Sequence, residues 1–214
     1  MFKFLLIAIL LIPFLNANGQ GIGELAPPKP PIEFPPNAWG IDVMFSESGF
    51  GLGTFYRSQF SDKLTGFVDF SISEAKDPHE VTYVDFWGNT YVPFKVNRAF
   101  LLPLCFGIQY RIFENVIYDN FRPYINFGFG PAAVVTDPDS IEYFSAFKFA
   151  HAQYTIGGYI GLGANFGVEK SNLIGVNMRY YFIHLFNKGI EIMSERFEKN
   201  LGGFYLTVNL GLMF

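Results

Sequence analysis

Leu201-Gly-Gly-Phe-Tyr-Leu-Thr-Val-Asn-Leu-Gly-Leu-Met-Phe214, the closing stretch of the 214-residue chain, alternates strictly between two kinds of side chain. Phe204, Leu206, Val208, Leu210, Leu212 and Phe214 fall on one side, and Gly203, Tyr205, Thr207, Asn209 and Gly211 on the other. That period of two is the signature of a β-strand, whose successive side chains point to opposite faces. The stretch is longer than an ordinary strand, its apolar side is unbroken, and its last residue is aromatic. Those features predict one face in lipid and the other in a small polar interior. A soluble sandwich strand would share the period, so the assignment rests on finding the pattern again upstream.

Working back, the same alternation recurs. Ile174, Val176, Met178, Tyr180 and Phe182 oppose Gly175, Asn177, Arg179 and Tyr181. Between Tyr154 and Val168, an apolar set oppose Thr155, Gly157, Tyr159, Gly161, Gly163, Asn165 and Gly167. Strands are also read from Phe121 to about Val134 and from Phe100 to Phe113, the latter with Pro103 on its inner side. Proline lacks a ladder donor, so a bulge is expected at Pro103. Three further strands are read near Trp39–Phe45, Gly51–Phe60 and Gly66–Ile72. This makes eight, an even number suited to a closed single-chain transmembrane barrel. The expected fold class is therefore all-β, an eight-stranded antiparallel transmembrane β-barrel with long external loops.

The connections after the second, fourth (Glu114–Asn120) and sixth strands are short, and those after the third, fifth and seventh are long. Residues 74–96 read as a polar excursion beyond the rim with a hairpin about Gly88-Asn89, Thr136 to about Gln153 as a loop with a short helix from Ser140 to Ala150, and Phe186–Asn200 as a charged loop. With both termini in the periplasm, the long loops lie outside the cell.

Composition agrees with this class. Hydrophobic residues make up 50% and charged residues 16%, below the usual charged share of roughly 25%; Phe (27), Tyr (12) and Gly (22) are abundant. A net charge of -4 without Lys/Arg runs argues against a nucleic-acid partner. Residues 1–19 read as a secretory signal peptide: Lys3 is followed by an apolar run to Leu15, which is too short to span a bilayer, and then by small residues before Gln20. Residues 20–37 form a proline-rich periplasmic leader outside the fold, and residues 38–214 the barrel. Cys105 is the sole cysteine, so no intrachain disulfide framework exists and the residue reads as a small buried hydrophobe.

The signal peptide, the aromatic alternating strands and the ending Gly203-Phe-Tyr-Leu-Thr-Val-Asn-Leu-Gly-Leu-Met-Phe214 resemble the small outer-membrane barrels of the OmpA/OmpW-like superfamily, especially versions from Bacteroidota. The likeness covers about residues 38–214. It implies residence among outer-membrane lipids and lipopolysaccharide, and recognition of the strand ending at Phe214 by the barrel assembly machinery. No appended peptidoglycan-binding domain is expected.

The polar residues on inward faces are Asp42, Arg57, Asp69, Gln109, Arg111, Asn126, Asn165, Asn177, Arg179 and Asn209. Buried together, they must pair and hydrogen-bond, which predicts a filled interior, since eight strands leave room only for side chains or one small ligand. A small solute channel is the alternative. A lipid-modifying enzyme would need a nucleophile and base such as Ser145 with His151; Ser171 and His184 fall at opposite rims, and His79 lies in a loop. No catalytic motif, cofactor site or metal-ligand spacing is found, so no catalytic, cofactor-binding or metal residue is assigned. The aromatic stretches Val81–Pro93 and Ile141–Phe149 offer a loop surface for a protein or ligand, or packing over the barrel mouth. The functional expectation is a non-enzymatic structural or loop-mediated binding or secretion-support scaffold.

Overall fold

A computed structural model describes residues 34–113, 120–169 and 171–214. The expected signal peptide, nearly all of the expected leader and most of the Glu114–Asn120 connection lie outside the described residues. Eight long strands close on themselves: β1 (Asn37–Ser46), β2 (Gly49–Gln59), β3 (Leu64–Ala75), β6 (Asn97–Arg111), β7 (Phe121–Pro138), β8 (His151–Glu169), β9 (Asn172–His184) and β12 (Asn200–Met213). Each pairs antiparallel with its sequence neighbour among the eight, and β1 pairs with β12 from Ala38↔Met213 to Ser46↔Tyr205. Closure leaves no open edge, which a lipid environment requires because hydrocarbon offers no hydrogen bonds to backbone groups.

The faces follow the alternation. In β9 every second side chain from Leu173 to Ile183 is buried, and those between are exposed. In β12 Phe204, Leu206, Leu210 and Leu212 are exposed while Tyr205, Thr207 and Asn209 are buried. The same holds for the first strands, where Ile41 and Phe45 face out and Asp42 and Met44 face in. An apolar exterior around a polar core is the reverse of a soluble barrel, so the fold is transmembrane. Gly202 and Gly203 at the start of β12 have φ of +138° and +144°, and a Cβ at Gly202 would meet the Tyr181 carbonyl. Only glycine adopts that backbone readily, so the pair lets β12 enter the barrel wall.

Pro103 departs from expectation. Register is the same on both sides of it: Leu102 and Pro103 pair with Ala133 and Ala132, and Phe106 resumes with Phe129. On the other side, Leu101 pairs with Ser73 and Leu104 with Phe70. Toward β3 pairing lapses at Pro103 itself, and toward β7 the gap falls opposite a second proline, Pro131; neither gap inserts the extra residue that defines a bulge.

The long connections are built structures. Between β3 and β6 stands the hairpin β4 (Tyr83–Val84) and β5 (Thr90–Tyr91), turned at Asp85–Gly88. Between β7 and β8 lie the one-turn helix α1 (Tyr143–Ala146) and a 3₁₀ turn, Phe147–Phe149. Between β9 and β12, where only a charged loop was expected, there is a further hairpin, β10 (Ile190–Glu191) with β11 (Phe197–Glu198). The rim holding both strand ends, Asn37 and Met213, is here the terminal rim; its opposite is the loop rim. The end of the leader belongs to the barrel: Phe34 packs against buried Ala38, Phe55, Leu173 and Met213, and the Pro36 carbonyl accepts from Gln59 N.

Candidate functional site

Four of the inward polar residues, Asp42, Asp69, Arg179 and Asn209, meet in one knot at mid-height. Arg179 on β9 is 1% exposed and sends Nη2 to Asp42 Oδ2 on β1 at 3.0 Å and Nη1 to Asp69 Oδ2 on β3 at 3.3 Å. Asp69 also accepts from the Tyr159 hydroxyl, and Asp42 from the Asn209 side-chain amide. The Tyr159 ring lies 4.8 Å from the Arg179 guanidinium, while Tyr181 accepts from Nη1 at 3.3 Å. One guanidinium is thus held by two carboxylates and two tyrosines from four strands, a charge-assisted cluster that fills the lumen.

Toward the terminal rim, Arg57 donates to Asn165 Oδ1 at 3.1 Å and stacks over Phe55 at 4.2 Å, and Tyr124 donates to Asn209 Oδ1 at 3.4 Å. Gln109, Asn126 and Asn177 are buried within the same interior. Below them a cavity of about 40 Å³ is lined by Gln59, Gln109, Arg111, Arg122, Tyr124 and Asn165, among others, space for one or two waters. Arg122 stacks at 3.8 Å on Phe34. Toward the loop rim the filling turns apolar: Ala99, Leu101, Val134 and Ile183 pack with Leu185, Ile190 and Ile192. The last loop therefore turns its aliphatic residues down into the mouth and its charges upward.

Backbone pairing joins the first and third long loops above this apolar layer. Val96 N donates to Ile192 O at 2.8 Å and Ser194 N to Phe94 O at 2.9 Å. The aromatic loop residues do not cover the mouth. Phe86 and Trp87 at the β4–β5 tip are 95% and 84% exposed, and Phe94, Phe144 and Phe149 also face solvent. Asp85 orders that tip: its carboxylate accepts from Asn89 Nδ2 at 3.0 Å and from the Trp87 and Asn89 backbone at 2.8 Å, contacts that lower its pKa. Glu142 caps α1 by accepting from Ser145 N and Phe144 N, which lowers its pKa likewise. The lipid-facing wall carries an apolar groove of about 590 Å³ under Phe147, lined by Phe50, Leu52, Ile72, Phe100, Leu102 and Val135.

The residues considered for hydrolysis have other local partners or positions. Ser145 Oγ donates to Glu142 Oε2 at 3.0 Å, His151 opens β8, and His184 Nδ1 meets Asn200 Oδ1 at 2.7 Å. Ser171 sits beside Met213 at the terminal rim, at the far end of β9 from His184. Cys105 is buried with Met44, Phe67 and Tyr159. Sequence spacing pointed to no metal ligands, yet folding gathers Asp77, His79 and Glu198 from two loops.

Neither a protein-family model nor a curated protein matches the sequence. Among solved structures, Neisserial surface protein A aligns with a TM-score of 0.50 and 12% identity, over 83% of this chain and 94% of that one. The chain has the fold of the small eight-stranded outer-membrane barrels. The outer membrane protein OprG from Pseudomonas aeruginosa aligns at 0.46 and 13% identity, over 83% of this chain and 94% of OprG. At such identities the likeness is one of fold, and what distinguishes this outer-membrane-type barrel is its own interior and loops.

Proposed function

We propose that the protein is an outer-membrane scaffold with a closed interior, whose loop rim is the working surface for binding a protein or ligand or supporting secretion. In this reading both termini are periplasmic, and the strand ending at Phe214 is the handle for the assembly machinery. Outer-membrane lipids and lipopolysaccharide surround the wall, and the protein carries no catalytic step. The observation that supports a closed interior is the Arg179–Asp42–Asp69 knot, sealed between an apolar layer at the mouth and Phe55 with Phe34 at the other end. A path for solutes would have to break a buried ion cluster, which is costly when charges are left unpaired. The support for a loop surface is the solvent exposure of Phe86, Trp87, Phe94 and Phe144, since exposed apolar patches mark interaction sites.

Purified barrel reconstituted in planar bilayers is expected to give no stable conducting state. Reproducible single-channel conductance would replace this reading with the solute channel. Replacing Val81–Pro93 by a short Gly-Ser linker should leave folding intact and abolish surface capture of a partner; undiminished capture by the loop-deleted barrel would remove the loops from the function.

A further inference from the structure

We propose that Asp77, His79 and Glu198 form a binding site for a divalent transition-metal ion of the zinc class, clamping the first long loop to the third. One ligand atom from each residue lies within 4.8 Å of the other two. An ion placed between three such atoms stands no more than about 2.8 Å from each, so side-chain shifts of less than about 1 Å reach ordinary Zn–O and Zn–N lengths. Asp77 and His79 leave β3 on the loop before the β4–β5 hairpin, whereas Glu198 belongs to β11. The backbone bridges between Val96 and Ile192 and between Phe94 and Ser194 fix the two loops side by side. The donors are therefore brought together by the fold, not by their spacing in the chain.

A separate observation points to a missing ligand. The Asp77 side chain is 0% exposed, and its Oδ1 accepts from His79 N at 2.8 Å and meets His79 Nδ1 at 3.2 Å. Its second oxygen, Oδ2, is buried with no hydrogen-bond partner. Leaving a carboxylate oxygen dry and unpaired is unfavourable, and a cation would satisfy it. The imidazole selects the metal class: two carboxylates alone would suit calcium or magnesium, but a nitrogen donor favours zinc and its neighbours. His79 Nε2 faces Arg196 Nη2 at 3.3 Å. A guanidinium is always charged and only donates, so it stands where positive charge is favoured. Arg196 is exposed and can swing into solvent when an ion takes its place.

The test uses the tag-free full barrel in detergent micelles, titrated with Zn²⁺ alone by calorimetry. One equivalent should bind, and His79→Ala and Glu198→Gln should each weaken binding at least tenfold, with folding verified by heat-modifiable gel mobility. A His151→Ala/His184→Ala double variant should bind as the wild type does. Arg196→Ala should bind several-fold tighter, because it removes the competing cation. Zn²⁺ should also slow tryptic cleavage within residues 185–199, an effect that His79→Ala abolishes. Because Asp77 organises its own turn, Asp77→Asn is secondary to the other two variants. Absence of a one-equivalent site in the folded wild type, or binding that survives His79→Ala and Glu198→Gln but is lost in the His151/His184 variant, would overturn the proposal.

Discussion

Replacing Arg179 by Met should be the most damaging conservative change in the barrel. The methionine fills much of the arginine's volume, so packing is largely kept and the loss is chiefly electrostatic. Asp42 would keep its bond from Asn209, and Asp69 its bond from Tyr159, but both carboxylates would lose the guanidinium now 3.0 and 3.3 Å away. Removing one partner of a single buried pair costs about 3–5 kcal/mol. Here one cation serves two acids, so the upper end, roughly 4–5 kcal/mol, is expected. That is about a quarter or more of the roughly 5–15 kcal/mol by which a typical protein is stable. Denaturant titration of the refolded barrel in micelles, followed by tryptophan fluorescence and gel mobility, measures the loss. The decisive control is the triple variant Asp42→Asn/Asp69→Asn/Arg179→Met, which removes the three charges of the knot together and leaves Arg57 on its bond to Asn165. It should recover at least about 2 kcal/mol over the single variant, since neutral replacement of a whole buried ion cluster is often nearly neutral. A single variant within about 1 kcal/mol of the wild type, or a triple variant no better than the single, would refute the claim that charge compensation holds this core together.

Gly161→Ala should destabilise the barrel by about 1–3 kcal/mol in the same titration, as overpacking does; its Cβ would stand 2.5 Å from Asn126 Oδ1, 2.8 Å from Asn177 Oδ1 and 3.0 Å from the Met178 carbonyl. Acid should loosen the β4–β5 tip. Hydrogen bonds led by Asn89 lower the folded-state pKa of Asp85, so its ordering contribution is complete above the unfolded carboxylate pKa and disappears as pH falls through the lowered folded value. Trp87 fluorescence anisotropy should report this transition, and Asp85→Ala should abolish it. Deleting Phe214 removes the backbone pair Asn37 N to Phe214 O at 3.1 Å and Phe214 N to Asn37 O at 2.9 Å, at the seam where β1 meets β12. Heat-modifiable barrel in outer-membrane fractions should drop severalfold while export across the inner membrane continues; an unchanged folded yield would deny Phe214 a role in assembly.

Alternation along a strand is a local property, written into the chain by the pleat of the backbone, and so the sequence alone determined which side of each wall a residue occupies. Asp42, Arg57, Asp69, Arg179 and Asn209 were all legible as inward, and Leu206 and Met178 as outward. Pro103 was legible as a missing donor, but whether the sheet would bulge or skip pairing depended on both neighbouring strands. Partnership across the lumen is different in kind. Arg179 meets Asp42 and Asp69 because strand tilt and stagger in the closed barrel bring β9, β1 and β3 to one level, which no single strand encodes. Tyr159 and Tyr181 looked like inner-face filler until closure placed them beside the guanidinium. Leu185, Ile190 and Ile192 were hidden among the charges of a loop, because their burial depends on a mouth that exists only once the barrel is shut. Asp77, His79 and Glu198 lay too far apart in the chain to suggest a common ligand. Tertiary structure alone brought them together, through backbone pairing between loops that share no local pattern.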